Sequence, residues 1–190
     1  MLPVTATLTN HFLIAMPALR DPNFDRTVTL ICQHDANGAL GIVINRVVDM
    51  TLADILEQMN IEAARGARGN APVHYGGPVH MDRGFVLHGA AENSQWQSTL
   101  PVTERIALTT SRDILEAIAA NQGPKDHLVA LGYAGWGGGQ LEEEIRANAW
   151  LSGPADYGIV FNTPVEQRYD AAVRAAGVDL SRLTHEAGHA

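Results

Sequence analysis

Cysteine is nearly missing from this sequence: Cys32 stands alone among 190 residues. A single thiol closes no disulfide within the chain, so the expectation is a reducing, cytoplasmic setting. Lysine is as scarce. Lys125 is the sole one, the twelve arginines form no run, and the formal net charge is −8. Nucleic-acid phosphates are met by clustered Lys and Arg, so this balance argues against a direct DNA or RNA surface. Long apolar runs are missing too. Gly41-Ile42-Val43-Ile44 falls far short of the roughly 20 residues a membrane helix needs, so no membrane partner is expected. Met1 to Thr5 shows neither the basic stretch nor the apolar core of a secretory signal.

What is present suits one globular domain spanning 1–190: 46% hydrophobic and 18% charged residues, enough to build a core. Strands are predicted over His11–Met16, Arg26–His34 and Ala39–Asn45, the last two joined by the Asn37-Gly38 hairpin signal. A helix opens at Thr51, with Leu52, Ile55, Leu56 and Met59 as its inward stripe. Residues 62–72 read as a loop. Short strands follow at Val73–Tyr75, Gly84–His88 and Arg105–Leu108. A helix capped by Ser111 comes next, with Ile114, Leu115 and Ile118 facing inward, and then an apolar strand over Asp126–Tyr133. Glu142–Trp150 reads as a helix and Gly158–Phe161 as a buried strand. Thr163-Pro164-Val165-Glu166 has the form of a capping box starting the last helix. Hairpins mixed with strand–helix units define an α+β class. Residues 180–190 read as a flexible C-terminal tail.

The most unusual stretch is GYAGWGGGQLEEEI, residues 132–145, with five glycines and two aromatic rings in its first eight positions. One reading offers backbone N–H groups of Gly135, Gly137 and Gly139 to a ligand at a helix start. No lysine follows, and three glutamates occupy the first turn, which opposes an anion. The other reading is a glycine-permitted bend that lets Tyr133, Trp136 and Trp150 pack closely, with a pocket beside it.

Other groups bear chemistry-capable residue types. Cys32 and His34, two apart on a strand, would share a face and form a thiol–imidazole pair if close enough. His74, His80 and His88, with Asp82, could converge on a metal, although their separations match no zinc pattern. His185-Glu186-Ala187-Gly188-His189 spells the zinc-peptidase signature. It lies one residue from the end, contains a glycine and leaves no chain for a third ligand, so it reads as tail. Arg26, Asn45 and Arg46, with Asp21 and Asp25, gather near the first hairpin as a polar cleft or as a solvated surface.

HFLIAMPALRDPNFDRTVTLICQH, GALGIVINR, YGGPV, LHG and GYAGWGGGQLEEEI with NAW occur in an order that resembles the AlgH/YqgE family over about Leu8 to Ala175. Val47 stands where such proteins usually have proline, and Gly138 where proline or alanine is common. Both departures bear on loop stiffness. The resemblance implies a bacterial cytoplasmic protein with a mixed, largely antiparallel sheet and flanking helices. It also implies a link to the regulation of alginate production, and it implies no reaction. Two functional readings therefore stand. One is a non-enzymatic regulatory or interaction protein using Tyr133, Trp136 and Trp150 toward a protein or small-molecule partner. The other is a hydrolase-like enzyme using Cys32/His34 or His74/His80/His88. No catalytic residue, metal or cofactor is assigned.

Overall fold

The computed structural model describes residues 6–67, 69–90, 96–179 and 181–182. The tail expected at 180–190 and the His185–His189 motif fall almost wholly outside the described residues.

β1 (His11–Ala15), β2 (Val28–Asp35) and β3 (Gly38–Val43) run antiparallel, and the Asp35 carboxylate accepts the Asn37 N–H at 2.7 Å to set the predicted hairpin turn. β4 (Val47–Thr51) leads into α1 (Leu52–Gln58). There the Thr51 hydroxyl accepts the Asp54 N–H and the Asp54 carboxylate accepts the Thr51 N–H, closing a capping box. β5 (Pro72–Tyr75), the long β6 (Val79–Gly89), β7 (Thr99–Pro101) and β8 (Ile106–Thr109) follow, then α2 (Arg112–Ala119). The chain continues through β9 (His127–Gly137), α3 (Gln140–Arg146), β10 (Trp150–Pro154) and α4 (Tyr157–Phe161). A single 3-10 turn, Val165–Gln167, precedes α5 (Arg168–Ala175).

The strand order is β10-β1-β2-β3-β9-β6-β8-β7, with β4 and β5 off this path. Every pairing among the described residues is antiparallel except β5 with β9. This is the mixed, largely antiparallel α+β sheet expected from the sequence. β9 is its pivot. Ala134–Gly137 pairs with β3, while His127–Leu131 pairs with β6 on one side, and Ala130 and Leu131 meet β5 on the other.

Three apolar clusters hold the helices to the sheet. α4 and α5 place Ile159, Val160, Tyr169, Ala172 and Val173 on Phe12, Leu30, Ile42 and Leu87. α1 and α2 cover Val73, Val86 and Val129 through Leu52, Ile55, Ile114 and Ile118. α3 inserts Leu141 against Leu13, Ile31, Trp136 and Trp150. Each such fully buried aliphatic chain contributes roughly 1.5–3 kcal/mol.

Several local expectations are corrected. The helix predicted over Glu142–Trp150 stops at Arg146; Asn148 turns the chain with φ 59°, and Trp150 begins β10 opposite Ala15. Gly158–Phe161 lies in a helix, because Asp156 accepts the Ile159 N–H at 2.9 Å and caps it. A short apolar run cannot by its pattern distinguish the two. The Thr163 capping box does not form: its hydroxyl donates to the Gly158 carbonyl, and α-helix proper begins at Arg168. Ser111 precedes α2, but its side chain accepts the Ser98 N–H and donates to Asp113 without capping the helix.

Candidate functional site

The glycine segment is no bend until its end. Residues 132–137 are the C-terminal half of β9, and the chain turns only at Gly138 and Gly139, the latter at φ 78° before α3. One glycine of the segment is required by a close approach. Gly132 has φ 75° and Gly77 φ 154°, and a Cβ on Gly132 would lie 2.3 Å from the Gly77 carbonyl oxygen. The β5–β6 connection thus passes directly against β9, which any side chain would prevent.

The three glutamates after the turn divide their roles. Glu142 accepts from His34 Nε2 at 2.7 Å, and because Leu8 N–H donates to Nδ1, the ring proton resides on Nε2. Its own backbone N–H, aided by His34, holds the Glu142 carboxyl below the usual range. Glu143 is exposed. Glu144 Oε2 accepts both indole N–H groups, from Trp136 at 2.9 Å and Trp150 at 2.8 Å, and Oε1 accepts from Gln140. Phe24 closes on both indoles, edge-on to Trp150 at 5.5 Å. Tyr133 does not join them. It packs edge-on against Phe85, 5.5 Å away, in the cluster beneath α4 and α5. An open groove of about 580 Å³ does run beside the segment, touching Tyr133, Gly135, Trp136, Leu40 and Gln33.

The remaining groups separate. A bulge between Ile31 and Gln33 interrupts the alternation of β2. Cys32 therefore packs with Leu30 and Ile42, while His34 turns to α3. The two do not share a face as predicted. Burial pushes the Cys32 thiol up to about 12, far from a thiolate at neutral pH. His88 Nδ1 donates to the Gly89 carbonyl while its Nε2 bonds the Thr109 hydroxyl, and His80 lies 6.0 Å from the Tyr133 ring. His74 meets Arg168 instead. The three histidines do not converge, and no group of three or more metal-ligating side chains forms among the described residues. Asn45 bonds the Val28 N–H and the Arg26 carbonyl, and Arg46 donates to the carbonyls of Pro22, Asn23 and Asp25. These side chains pin the 20–26 loop to the hairpin. Arg26 lies over the Tyr169 ring, 4.6 Å from its centroid.

A more enclosed concavity, about 470 Å³, lies between α1 and α2 over β6 and β9. Its floor is Val86, Val129 and Leu131, and its walls are Ile55 and Leu115. Met50, Met59 and Met81 reach it, three of the chain's five methionines. Arg112 bridges one edge, with Nε on Glu116 and Nη1 on the Met59 carbonyl, both 2.7 Å. Asp82 and Arg83 stand exposed at the mouth without a partner among the described residues. The volume, and an apolar floor bordered by polar residues such as Gln58, Thr110 and Ser111, match a small-molecule site. Sequence reasoning missed it: the apolar stripes of both helices were visible, but the contribution of β6 and the methionines depends on tertiary placement.

Fold and pocket together define a single α+β domain with a curled, largely antiparallel sheet and a cleft between two covering helices. The sequence profile of the AlgH-like family matches residues 12–181, and the chain belongs to that family. It is 57% identical over 182 residues to a UPF0301 protein of Methylococcus capsulatus, covering 96% of each chain. A UPF0301 protein of Thioalkalivibrio sulfidiphilus is 57% identical over 186 residues, with 98% of each covered. The solution structure of AlgH from Pseudomonas aeruginosa is 50% identical, superposes with a TM-score of 0.80, and shares 98% of this chain and 97% of that one. A Corynebacterium diphtheriae crystal structure at 19% identity and TM-score 0.73, covering 92% of this chain and 90% of that one, has the same fold. No helix among the described residues is long and apolar enough to cross a membrane.

Proposed function

We propose that this protein is a non-catalytic, cytoplasmic binding protein that takes a small amphipathic molecule into the cleft between α1 and α2 and acts on regulation through that ligand. The cleft carries the reading: an apolar floor, flexible methionines that mould to a guest, and Arg83 and Asp82 at the mouth to orient a polar end. The family resemblance supports a regulatory setting. Any effect on transcription is indirect in this reading, since a net charge of −8 with one lysine disfavours phosphate contacts.

Gly84 provides the test. It lines the cleft, and a Cβ there meets nothing within 4 Å, so Gly84→Phe projects a ring into the space without a backbone clash. Native mass spectrometry of untagged protein from gently lysed cells, paired with Nile red titration, should show a guest or dye in the parent and its loss in G84F. Equal dye binding in a folded G84F, with no guest in either protein, would refute the assignment.

A further inference from the structure

We propose that His34 is a proton-operated latch: a second proton on its ring releases residues 6–8, ahead of β1, while tightening the ring's hold on α3. The ring shares no lining residue with the cleft between α1 and α2.

Three parts of the chain meet at this imidazole, whose side chain is only 4% exposed. Leu8 N–H donates to Nδ1 at 3.0 Å, and Nε2 donates to Glu142 of α3 at 2.7 Å. One nitrogen accepts and the other donates, a pairing that only the neutral ring can satisfy. The segment ahead of β1 has few other ties. The Thr7 hydroxyl donates to the His34 carbonyl at 3.2 Å, and the Leu8 side chain packs against the cluster of Leu13, Ile31, Trp136 and Trp150. The N–H groups of Asn10 and His11, on the Ile31 and Leu8 carbonyls, fix the turn that follows.

A second proton must go to Nδ1, since Nε2 already carries one. That nitrogen then becomes a donor and faces the Leu8 N–H with like polarity. Leu8 N–H is left without an acceptor, and it reaches water only if the segment moves. The same proton charges the ring, so the bond to Glu142 becomes charge-assisted and stronger. The Glu142 carboxyl is held below the usual range, first by its own backbone N–H, and is a carboxylate wherever imidazoles titrate. Acid therefore moves the ring's grip from the arm to the helix. As Leu8 withdraws, an apolar edge opens beside the two tryptophans.

The other groups around the ring do not oppose this. Ala39 lies opposite His34 on β3, Thr7 and Thr9 flank Leu8, and Arg146 acts on Glu142. Asp35, next on β2, accepts the Asn37 N–H. On β1, His11 Nδ1 donates to the Thr9 carbonyl, a role that survives protonation. Glu142 is the one ion-pair partner of the ring among the described residues.

The test is NMR of the full, isotope-labelled chain between about pH 8 and 5, following the His34 ring and the Leu8 amide together. As the ring gains its proton, the Leu8 amide resonance should move with it. Its hydrogen exchange, corrected for the intrinsic pH dependence, should rise about tenfold or more. Glu142→Gln keeps an acceptor without the charge, so ring titration and Leu8 release should shift together to lower pH. His34→Phe should leave the Leu8 amide unprotected throughout. A Leu8 amide still protected once the ring is charged overturns the proposal. So does a ring that stays neutral at the lowest pH at which the protein is folded, or a protected Leu8 amide in folded H34F.

Discussion

Removing the Glu144 carboxylate should loosen the join between α3 and the sheet, by an amount the geometry lets us work out. Trp136 and Trp150 are 6% and 5% exposed, and both indole N–H groups end on the one oxygen, Glu144 Oε2. In Glu144→Ala each buried donor loses a charged acceptor, at about 1–3 kcal/mol per orphaned group. Glu144 is itself half-buried, so water can follow the truncated side chain and the low end applies. The expected loss is about 2–4 kcal/mol. At roughly 2–4 °C per kcal/mol for a chain of this size, the melting temperature falls by about 4–16 °C. Glu144→Gln keeps an acceptor without the charge and should lose about half as much. Exposed Glu143→Ala, one residue away, should stay within about 0.5 kcal/mol of the parent. Guanidinium unfolding followed by tryptophan fluorescence reads all three variants, since two of the three tryptophans sit in the cluster. An E144A variant as stable as E143A would show that the two indoles do not depend on this carboxylate.

Two further variants probe other parts of the fold. Gly132→Ala drives a methyl into the Gly77 carbonyl at 2.3 Å, whereas Gly137→Ala meets only Gln140 at 3.9 Å. G132A should lose more than about 3 kcal/mol or fail to accumulate as soluble protein, and G137A about 1 kcal/mol or less; equal melting temperatures would contradict the close passage of the β5–β6 connection against β9. His74 gives a pH dependence. Its folded pKa of about 4 lies below the ordinary 6.5, so as pH falls past 6.5 the unfolded chain takes up a proton that the folded chain refuses. Stability is therefore indifferent to His74 above that range and declines between pH 6.5 and about 4, by roughly 3 kcal/mol at most. H74F removes this contribution, while His88, also depressed by burial, acts in the same direction in both proteins. Identical slopes of stability against pH for parent and H74F would rule out the buried neutral ring.

The parts of the fold that follow local rules were legible in the residues themselves. Asn37-Gly38 marked the hairpin, Thr51 and Asp54 marked a helix start, and the stripes of α1 and α2 marked their buried faces. Features set by distant partners were not. Trp150 could be helix or strand until β1 supplied its neighbour, and the bulge that parts Cys32 from His34 has no signature in Ile31-Cys32-Gln33. The same limit governs the candidate sites. GYAGWGGG drew attention by composition, but only the fold shows that most of it is strand and that Gly132 is required where the chain crosses Gly77. Arg168, by contrast, was one arginine among twelve, and only the fold shows it buried with no carboxylate partner among the described residues.

The position of β9 at the centre of the sheet has a consequence during synthesis. β3, β5 and β6 all pair with a strand that ends at Gly137, and β1 awaits β10, which ends at Pro154. A nascent chain arrested before these points carries several strand edges with no neighbour, the kind of surface that recruits other chains. Translation must therefore be nearly complete before the sheet can close. Premature truncation is expected to yield an aggregation-prone fragment rather than a smaller working domain.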